Sequence, residues 1–179
     1  PGLKINPNLF AESLHVLRLV KKNNVVQRAV FGVSWFWFVG TLLSAQLPNY
    51  AKLHMGGSES LNLLALALFS VGTGLGSLWC EKLSQRTVEI GLVPFGALGM
   101  TVFCADLYFA RPGLAPETGI TLLQFWQQAG SFRIMADLTL VGMFAGFFIV
   151  PLFALIQSRT NRRELSRVIA GMNIQNALF

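Results

Sequence analysis

Four stretches of this chain are apolar over the length of a membrane-spanning helix, and they constrain its fold more than any other feature. An α-helix rises about 1.5 Å per residue, so crossing a hydrocarbon core about 30 Å thick takes roughly 20 residues. Backbone polar groups inside a bilayer must be bonded within the protein, so such segments form helices. The predicted spans are residues 25–47, 61–80, 90–110 and 132–157, with a truncated fifth span over 168–179.

The predicted fold class is therefore an all-α integral membrane bundle with four complete transmembrane helices and the start of a fifth. Composition agrees, since 53% of the 179 residues are hydrophobic and only 12% are charged, whereas about a quarter of the residues in a soluble domain are charged. The net charge of +6 does not indicate nucleic-acid binding, because no basic element carries a base-reading or stacking pattern. The lipid bilayer is the predicted partner.

The distribution of lysine and arginine predicts the orientation of the bundle. If successive loops alternate between the two sides of the membrane, one side receives Lys4, Arg18, Lys21, Lys22, Arg28, Lys82, Arg86, Arg159, Arg162, Arg163 and Arg167. The other side receives only Lys52, Arg111 and Arg133. Cytoplasmic loops carry an excess of these residues. We therefore predict that the N-terminal arm is cytoplasmic.

The N-terminal arm, residues 1–24, is a predicted cytoplasmic linker that precedes the transmembrane bundle of residues 25–179. Residues 8–22 form an amphipathic helix, expected at the membrane surface or against helix ends. Its apolar stripe consists of Leu9, Phe10, Leu14, Leu17 and Val20. Asn23 and Asn24 are expected to end this helix, and Pro48 to end the first span. Because the chain starts at Pro1 and stops within a span, we expect both ends to lie inside a longer protein.

Three glycines in the second span, Gly72, Gly74 and Gly76, resemble a nucleotide-binding loop only superficially. No strand precedes them, and they lie in the middle of an apolar segment. Glycines in membrane helices allow neighbouring backbones to approach closely. We therefore predict a helix-packing surface here.

Polar and aromatic residues inside the spans are the candidate functional residues. Trp35, Trp37 and Phe38 form either an ordinary lipid-contacting surface or the apolar wall of a substrate cavity. Asn173 and Asn176 lie on one face of the fifth span, where amides either join helices or contact substrate.

Two acids lie closest to the hydrocarbon, Asp106 and Asp137. Charged side chains at such positions are costly and mark functional candidates. Arg133 lies four residues before Asp137, so the two can pair on one helix face. The alternatives are pairing at the membrane interface and a gating or coupling role.

Enzymatic chemistry is not predicted for this chain. The two histidines, His15 and His54, lie outside the predicted spans, and the sequence has no recognisable catalytic triad or Walker motif. Cys80 and Cys104 have no Cys or His at metal-ligand spacing, so no catalytic residue, metal site or cofactor is predicted.

Several ordered segments together resemble the branch of the major facilitator superfamily that contains bacterial lysophospholipid transporters. They are residues 34–38 (SWFWF), 46–50 (QLPNY), 69–77 (FSVGTGLGS), 88–96 (VEIGLVPFG), 137–146 (DLTLVGMFAG), 150–157 (VPLFALIQ), 166–170 (SRVIA) and 176–179 (NALF). The resemblance implies that the chain is part of the C-terminal half of a major facilitator bundle, in the bacterial inner membrane. An N-terminal six-helix half would be its missing partner. Members of this branch are often fused to a glycerolipid acyltransferase.

The resemblance also implies an activity, the movement of lysophospholipid across the inner membrane by alternating access. Trp35, Trp37 and Phe38 would line the acyl chain. The head group would contact Gln46, Asn173 and Asn176. Two alternatives remain open: a facilitator-type exporter of another hydrophobic small molecule, and a membrane anchor for a fused acyltransferase that transports nothing.

Overall fold

The computed structural model describes residues 9–56, 58–84, 88–110 and 119–178, with the backbone alone over residues 9–12. These residues form helices connected by turns. The helices are α1 (Leu9–Lys21), α2 (Asn24–His54), α3 (Glu59–Leu83), α4 (Leu92–Phe109), α5 (Leu122–Gln127), α6 (Ser131–Arg159) and α7 (Leu165–Leu178). The predicted features at Lys4, Arg86, Arg111 and Phe179 lie outside the described residues.

Four of these helices, α2, α3, α4 and α6, are long and apolar enough to cross a membrane. The prediction of an all-α integral membrane bundle is confirmed. The helices extend a few residues beyond most of the predicted spans because polar residues at the ends of a span continue the same helix. The short helix α5 lies in the loop before α6, and Thr121 and Gln124 form a capping box at its start.

The expectation that Pro48 ends the first span helix is wrong, because α2 continues to His54. Proline removes a single N–H donor and disturbs the preceding turn. The turns after Pro48 are held by tertiary packing, since Ala51 is 2% exposed and Met55 is 0% exposed. The Tyr50 hydroxyl also donates a hydrogen bond to the Leu107 carbonyl oxygen at 3.1 Å.

The chain divides into two compact units. One unit combines the chain up to Val39 with the segment from Leu152 onward, and the other runs from Gly40 to Pro151. The boundaries fall inside α2 and α6.

In the first unit, α1 packs against α7. Val16 and Val20 are buried, and an added Cβ at Gly171 would lie 2.9 Å from a methyl carbon of each. Leu14, from the predicted apolar stripe, is 55% exposed and does not take part in this contact. Val16 and Val20 are four residues apart and therefore lie on one face of α1. Because Gly171 has no side chain, this face of α1 can lie close against α7.

α1 ends at Lys21, in agreement with the predicted stop at Asn23 and Asn24, and Asn23 has a second role. Its side-chain oxygen accepts hydrogen bonds from the backbone N–H groups of Val25 at 3.0 Å and Val26 at 3.4 Å. Because the first N–H groups of a helix have no partner within the helix, this side chain caps the start of α2.

In the second unit, α6 packs closely against α3 and α4 through glycines. An added Cβ at Gly72 would overlap the Thr139 backbone, and one at Gly76 would overlap the Met143 backbone. On the other side, a Cβ at Gly96 would lie 2.6 Å from the Phe148 nitrogen. The predicted packing role is confirmed for Gly72 and Gly76. Gly74 has no atom within 4 Å of an added Cβ and does not take part.

The same unit has a buried apolar cluster where α2 ends and α3 and α6 begin. Met55, Leu61, Phe125 and Ile134 are each 0% exposed. Phe125 comes from α5, so the short helix covers this end of the bundle. The cluster fixes the positions of Tyr50, Leu107 and Leu138, which border the cavity described next.

Candidate functional site

A cavity of about 270 Å³ opens in the second unit, between the later half of α2 and helices α3, α4 and α6. Its wall is mainly apolar and includes Leu43, Leu47, Leu66, Phe69, Leu107, Leu138 and Val141. Polar groups are few, and those on α2 are Ser44, Gln46, Tyr50 and His54. The size lies just below the roughly 300–1,000 Å³ typical of ligand pockets. An apolar wall with few polar groups suits a ligand that is largely hydrocarbon.

Near the end of α4 and the start of α6, Asp106 and Arg133 form an ion pair with two hydrogen bonds. The Arg133 Nε donates to Asp106 Oδ2 at 2.9 Å, and its Nη2 donates to Asp106 Oδ1. The side chains are 52% exposed for Arg133 and 34% for Asp106. This two-point geometry holds both side chains in a fixed orientation.

Arg133 therefore pairs across helices rather than with Asp137 on its own helix. Asp137 is only 4% exposed, whereas Arg133 lies at the surface of the bundle. Spacing along α6 permitted Arg133 to pair with Asp137. The packing of α4 against α6 brings Asp106 to Arg133.

Asp137 has a buried carboxyl group. Its Oδ2 has no hydrogen-bond partner among the described residues. The carboxyl group of Asp137 lies within hydrogen-bonding reach of the Asp106 carboxyl group, and it also interacts electrostatically with Arg133 and Tyr50. We call Asp106, Arg133 and Asp137 the charged cluster. It contains two carboxyl groups and a single guanidinium.

The charged cluster lies near the cavity without lining it. Leu107 and Leu138 line the cavity and directly follow Asp106 and Asp137 in the chain. Tyr50 also lines it and interacts electrostatically with both acids. The cavity is therefore amphipathic through its own wall, which is apolar apart from a few polar side chains, and the charged cluster lies near it on the side of Tyr50.

The structure separates the predicted substrate-binding residues into two groups. Gln46 lies on the cavity wall in the second unit, where its side-chain oxygen accepts a hydrogen bond from Asn49 at 3.3 Å. The others belong to the first unit and comprise Trp35, Trp37, Phe38, Asn173 and Asn176.

Within the first unit, the aromatic residues form a half-exposed surface on α2. Trp35 is 49% exposed and Trp37 is 50% exposed. The Trp35 and Phe38 rings lie 5.5 Å apart between centroids. Such a surface is available to either lipid or substrate.

The two asparagines of α7 differ. Asn176 accepts a hydrogen bond from the Ser34 hydroxyl at 2.7 Å, and Ser34 is fully buried. This bond joins α2 to α7 within the first unit. Asn173 is exposed. The helix-joining interpretation therefore describes Asn176.

Sequence reasoning missed three residues of interest. Ser34 appeared only as part of an aromatic run, although a hydroxyl in an apolar helix signals an interhelical bond. The sequence assigns no role to Tyr50 and places His54 outside the predicted spans. Both belong to α2 and line the cavity, with ring centroids 4.9 Å apart.

These features define an integral membrane helical bundle with an amphipathic cavity. In the part of the chain that the structure describes, no group of three His, Cys, Asp or Glu residues is placed to hold a metal ion. Comparison with known proteins gives a more particular result. The chain is 28% identical over 143 residues to the lysophospholipid transporter LplT of Klebsiella pneumoniae strain 342, which covers 79% of this chain and 31% of the relative.

Two further relatives carry the same name. The chain is 27% identical over 139 residues to LplT of Citrobacter koseri, covering 77% of this chain and 30% of the relative. It is 25% identical over 153 residues to LplT of Escherichia coli O157:H7, covering 85% of this chain and 34% of the relative. The chain thus spans about a third of the length of these curated relatives. No family model and no solved structure matches it.

Proposed function

We propose that this chain forms part of a transporter that moves lysophospholipid across the bacterial inner membrane. The observation that carries the proposal is the amphipathic cavity, an apolar space with polar side chains of α2 on its wall and the charged cluster nearby. A lysophospholipid has one acyl chain and one charged head group, and the cavity offers a matching environment for each. The names of the relatives, at 25–28% identity, support the same substrate.

The transporter is proposed to be a major facilitator that works by alternating access, with this chain in its C-terminal half. The chain covers only about a third of its relatives, so an N-terminal six-helix half is the proposed partner that completes the substrate path. The distribution of bases supports a cytoplasmic N-terminal arm. An acyltransferase on the cytoplasmic side, fused or associated, would use the delivered lysolipid.

The predicted site residues are assigned roles within this mechanism. The half-exposed rings of Trp35, Trp37 and Phe38 are proposed to contact the acyl chain along its path. Gln46, on the cavity wall, is proposed to contact the head group.

Asn173 and Asn176 are proposed to contact the head group at another point of the path. The side-chain oxygen of Asn176 already accepts the Ser34 hydrogen bond, so its NH₂ group would face the substrate. The pair between Asp106 and Arg133 joins α4 to α6, and its opening is the proposed gating step.

The test is uptake of radiolabelled lysophosphatidylethanolamine by cells that express the protein from its complete native gene. We expect uptake well above that of cells without the gene. Replacing Asn173, Asn176 or Gln46 with alanine should lower this uptake. Unchanged uptake in all three variants would remove these side chains from the mechanism.

A second candidate is an exporter of another hydrophobic small molecule, which the modest cavity volume of about 270 Å³ favours. The two functions predict different results. An exporter would lower the accumulation of an apolar dye and leave lysolipid uptake at background. If the chain only anchors an acyltransferase, dye accumulation and lysolipid uptake should both equal those of cells without the gene.

A further inference from the structure

A second pocket, of about 450 Å³, lies within the first unit. It is located between the turn that joins α1 to α2 and the turn that joins α6 to α7. Most of the residues that line it are polar or charged, in contrast to the apolar wall of the cavity in the second unit. The proposed substrate path uses none of these residues, so the pocket calls for a separate ligand.

The charges on the wall of this pocket favour an anion. Lys22 lies on the wall on the side of α1, and Arg159 and Glu164 lie on the side of α6 and α7. None of the three forms an ion pair with another described residue. Two bases against one acid give the wall a net positive charge, which attracts negatively charged ligands. Further bases adjoin it in the chain, namely Lys21, Arg162 and Arg163.

The neutral polar residues of the wall supply hydrogen-bond donors. The side-chain oxygen of Asn23 accepts from backbone N–H groups of α2 at 3.0 and 3.4 Å, and that of Asn161 accepts from the Arg163 N–H at 3.2 Å. Because both oxygens are engaged, the NH₂ groups of the two amides remain for a ligand. The Thr160 hydroxyl oxygen is buried without a partner among the described residues. A change of rotamer would let this hydroxyl donate to a ligand oxygen.

We propose that this pocket binds the phosphate group of an anionic phospholipid, such as phosphatidylglycerol, from the cytoplasmic leaflet. Two positive side chains and several N–H donors match the charge and the oxygens of a phosphate. Basic pockets between membrane helices on the cytoplasmic side bind anionic head groups in this way. The choice of leaflet rests on the proposed orientation, and the binding itself does not depend on lysolipid transport.

The surface beside the pocket favours a lipid over free phosphate. Val25, which follows Asn24 of the wall, is 43% exposed, and Ile169, which follows Val168 of the wall, is 37% exposed. Acyl chains attached to the bound phosphate would cover such apolar side chains. The lipid would also contact both turns at once and so hold the N-terminal arm at the membrane surface.

The test is a titration of the purified protein, expressed from its complete native gene, with phosphatidylglycerol in detergent, followed by native mass spectrometry. The variant Lys22→Gln/Arg159→Gln removes both bases from the wall. Its matched control, Lys21→Gln/Arg162→Gln, removes the same charge from exposed residues of the same two segments outside the wall. Because hydrogen bonds between charged groups are the strong ones, we expect the first variant to bind at least about tenfold more weakly than the control. Equal affinities in the two variants would assign the attraction to the general basic surface and overturn the proposal.

Two further ligands identify the chemistry in the wild-type protein. Phosphatidylcholine with the same acyl chains has no net charge and should bind at least about tenfold more weakly. Inorganic phosphate should not displace bound phosphatidylglycerol. Equal binding of the two lipids would overturn the preference for an anionic head group, and displacement by inorganic phosphate would overturn the assignment to a lipid.

A cysteine-protection measurement locates the bound lipid and keeps both bases of the wall. In a cysteine-free background, phosphatidylglycerol should slow the reaction of Asn24→Cys, on the wall, with N-ethylmaleimide relative to phosphatidylcholine. The reaction of Arg162→Cys, exposed outside the wall, should be equal in the two lipids. Equal slowing at both positions, or none at Asn24→Cys, would overturn this location. Because binding is measured on purified protein, a failure of lysolipid uptake in cells would contradict the proposed function and leave this result unchanged.

Discussion

A small set of side chains joins the helices of this bundle through polar bonds. Among the described residues, the Ser34 hydroxyl and the Asn176 amide form one such bond, and Tyr50 with the Leu107 carbonyl forms another. Most other hydroxyl groups in the long helices bond within their own helix, as Ser70 does to the Leu66 carbonyl oxygen at 2.8 Å. Because Ser34 is fully buried, its bond has no water to replace it.

We predict that Ser34→Ala lowers the stability of the detergent-solubilised protein by about 1 kcal/mol, the scale of interhelical hydrogen bonds in membrane proteins. The measurement is the midpoint of thermal unfolding. Asn176→Ala should have a similar effect, and the double variant should cost less than the sum of the two, since both remove the same bond.

Ser70→Ala is the matched control for Ser34→Ala. It removes a hydroxyl that is exposed and bonded only within α3, so its midpoint should stay near that of the wild type. Strictly additive effects of the Ser34 and Asn176 substitutions would show that the bond contributes no coupling energy.

At the scale of helices, the glycines of α3 and α6 determine how closely the two backbones approach. Gly72 and Gly76 of α3 face α6, and Gly142 and Gly146 of α6 face α3. An added Cβ at Gly146 would lie 2.7 Å from the Ser77 nitrogen. Two helices whose glycines face each other at four-residue intervals form a close contact of this kind.

Gly72→Ala is expected to destabilise the bundle by about 1–3 kcal/mol, the usual cost of forcing extra atoms into a packed interface. The new methyl group would overlap the Thr139 carbonyl, which is backbone and cannot move aside freely. The measurement is the fraction of protein that stays monodisperse in detergent after heating.

Gly74→Ala provides the control within the same motif. Its Cβ would meet open space, and alanine is favoured over glycine in a helix by about 1 kcal/mol. We expect equal or slightly higher stability. If Gly72→Ala and Gly74→Ala behaved alike, the close contact between α3 and α6 would not explain the glycine pattern.

At the scale of the whole molecule, the arrangement of loops across the membrane is a proposal that depends on charge. The bases before α2, between α3 and α4 and after α6 are proposed to be cytoplasmic. The segment that contains α5 would then lie on the opposite side. The number of spans permits two mirror orientations, the distribution of bases favours the one with a cytoplasmic N-terminal arm, and a labelling experiment tests that choice.

We predict that a cysteine introduced at Gln127 reacts with a membrane-impermeant maleimide in cells whose inner membrane is intact. A cysteine at Arg162 should react only after that membrane is permeabilised. Both positions are exposed in the structure. The background protein carries Cys80→Ala and Cys104→Ala, and it should remain unlabelled. Reaction at Arg162 but not at Gln127 in intact cells would reverse the orientation.

The sequence alone determined that this protein is a helical membrane bundle, because apolar length and the cost of unbonded backbone in lipid depend only on local composition. It also predicted the helix-packing use of Gly72 and Gly76. Only the tertiary structure decided that Pro48 lies inside α2, since the packing of Ala51 and Met55 sustains the helix beyond it.

Partner choice was likewise beyond the reach of the sequence. Spacing allowed Arg133 to pair with Asp137, but the approach of α4 to α6 gives it Asp106 instead. Gln46 alone among the predicted substrate contacts lines the cavity. A cavity consists of side chains from helices that are distant in sequence, and periodicity within one helix does not encode which neighbours it will contact.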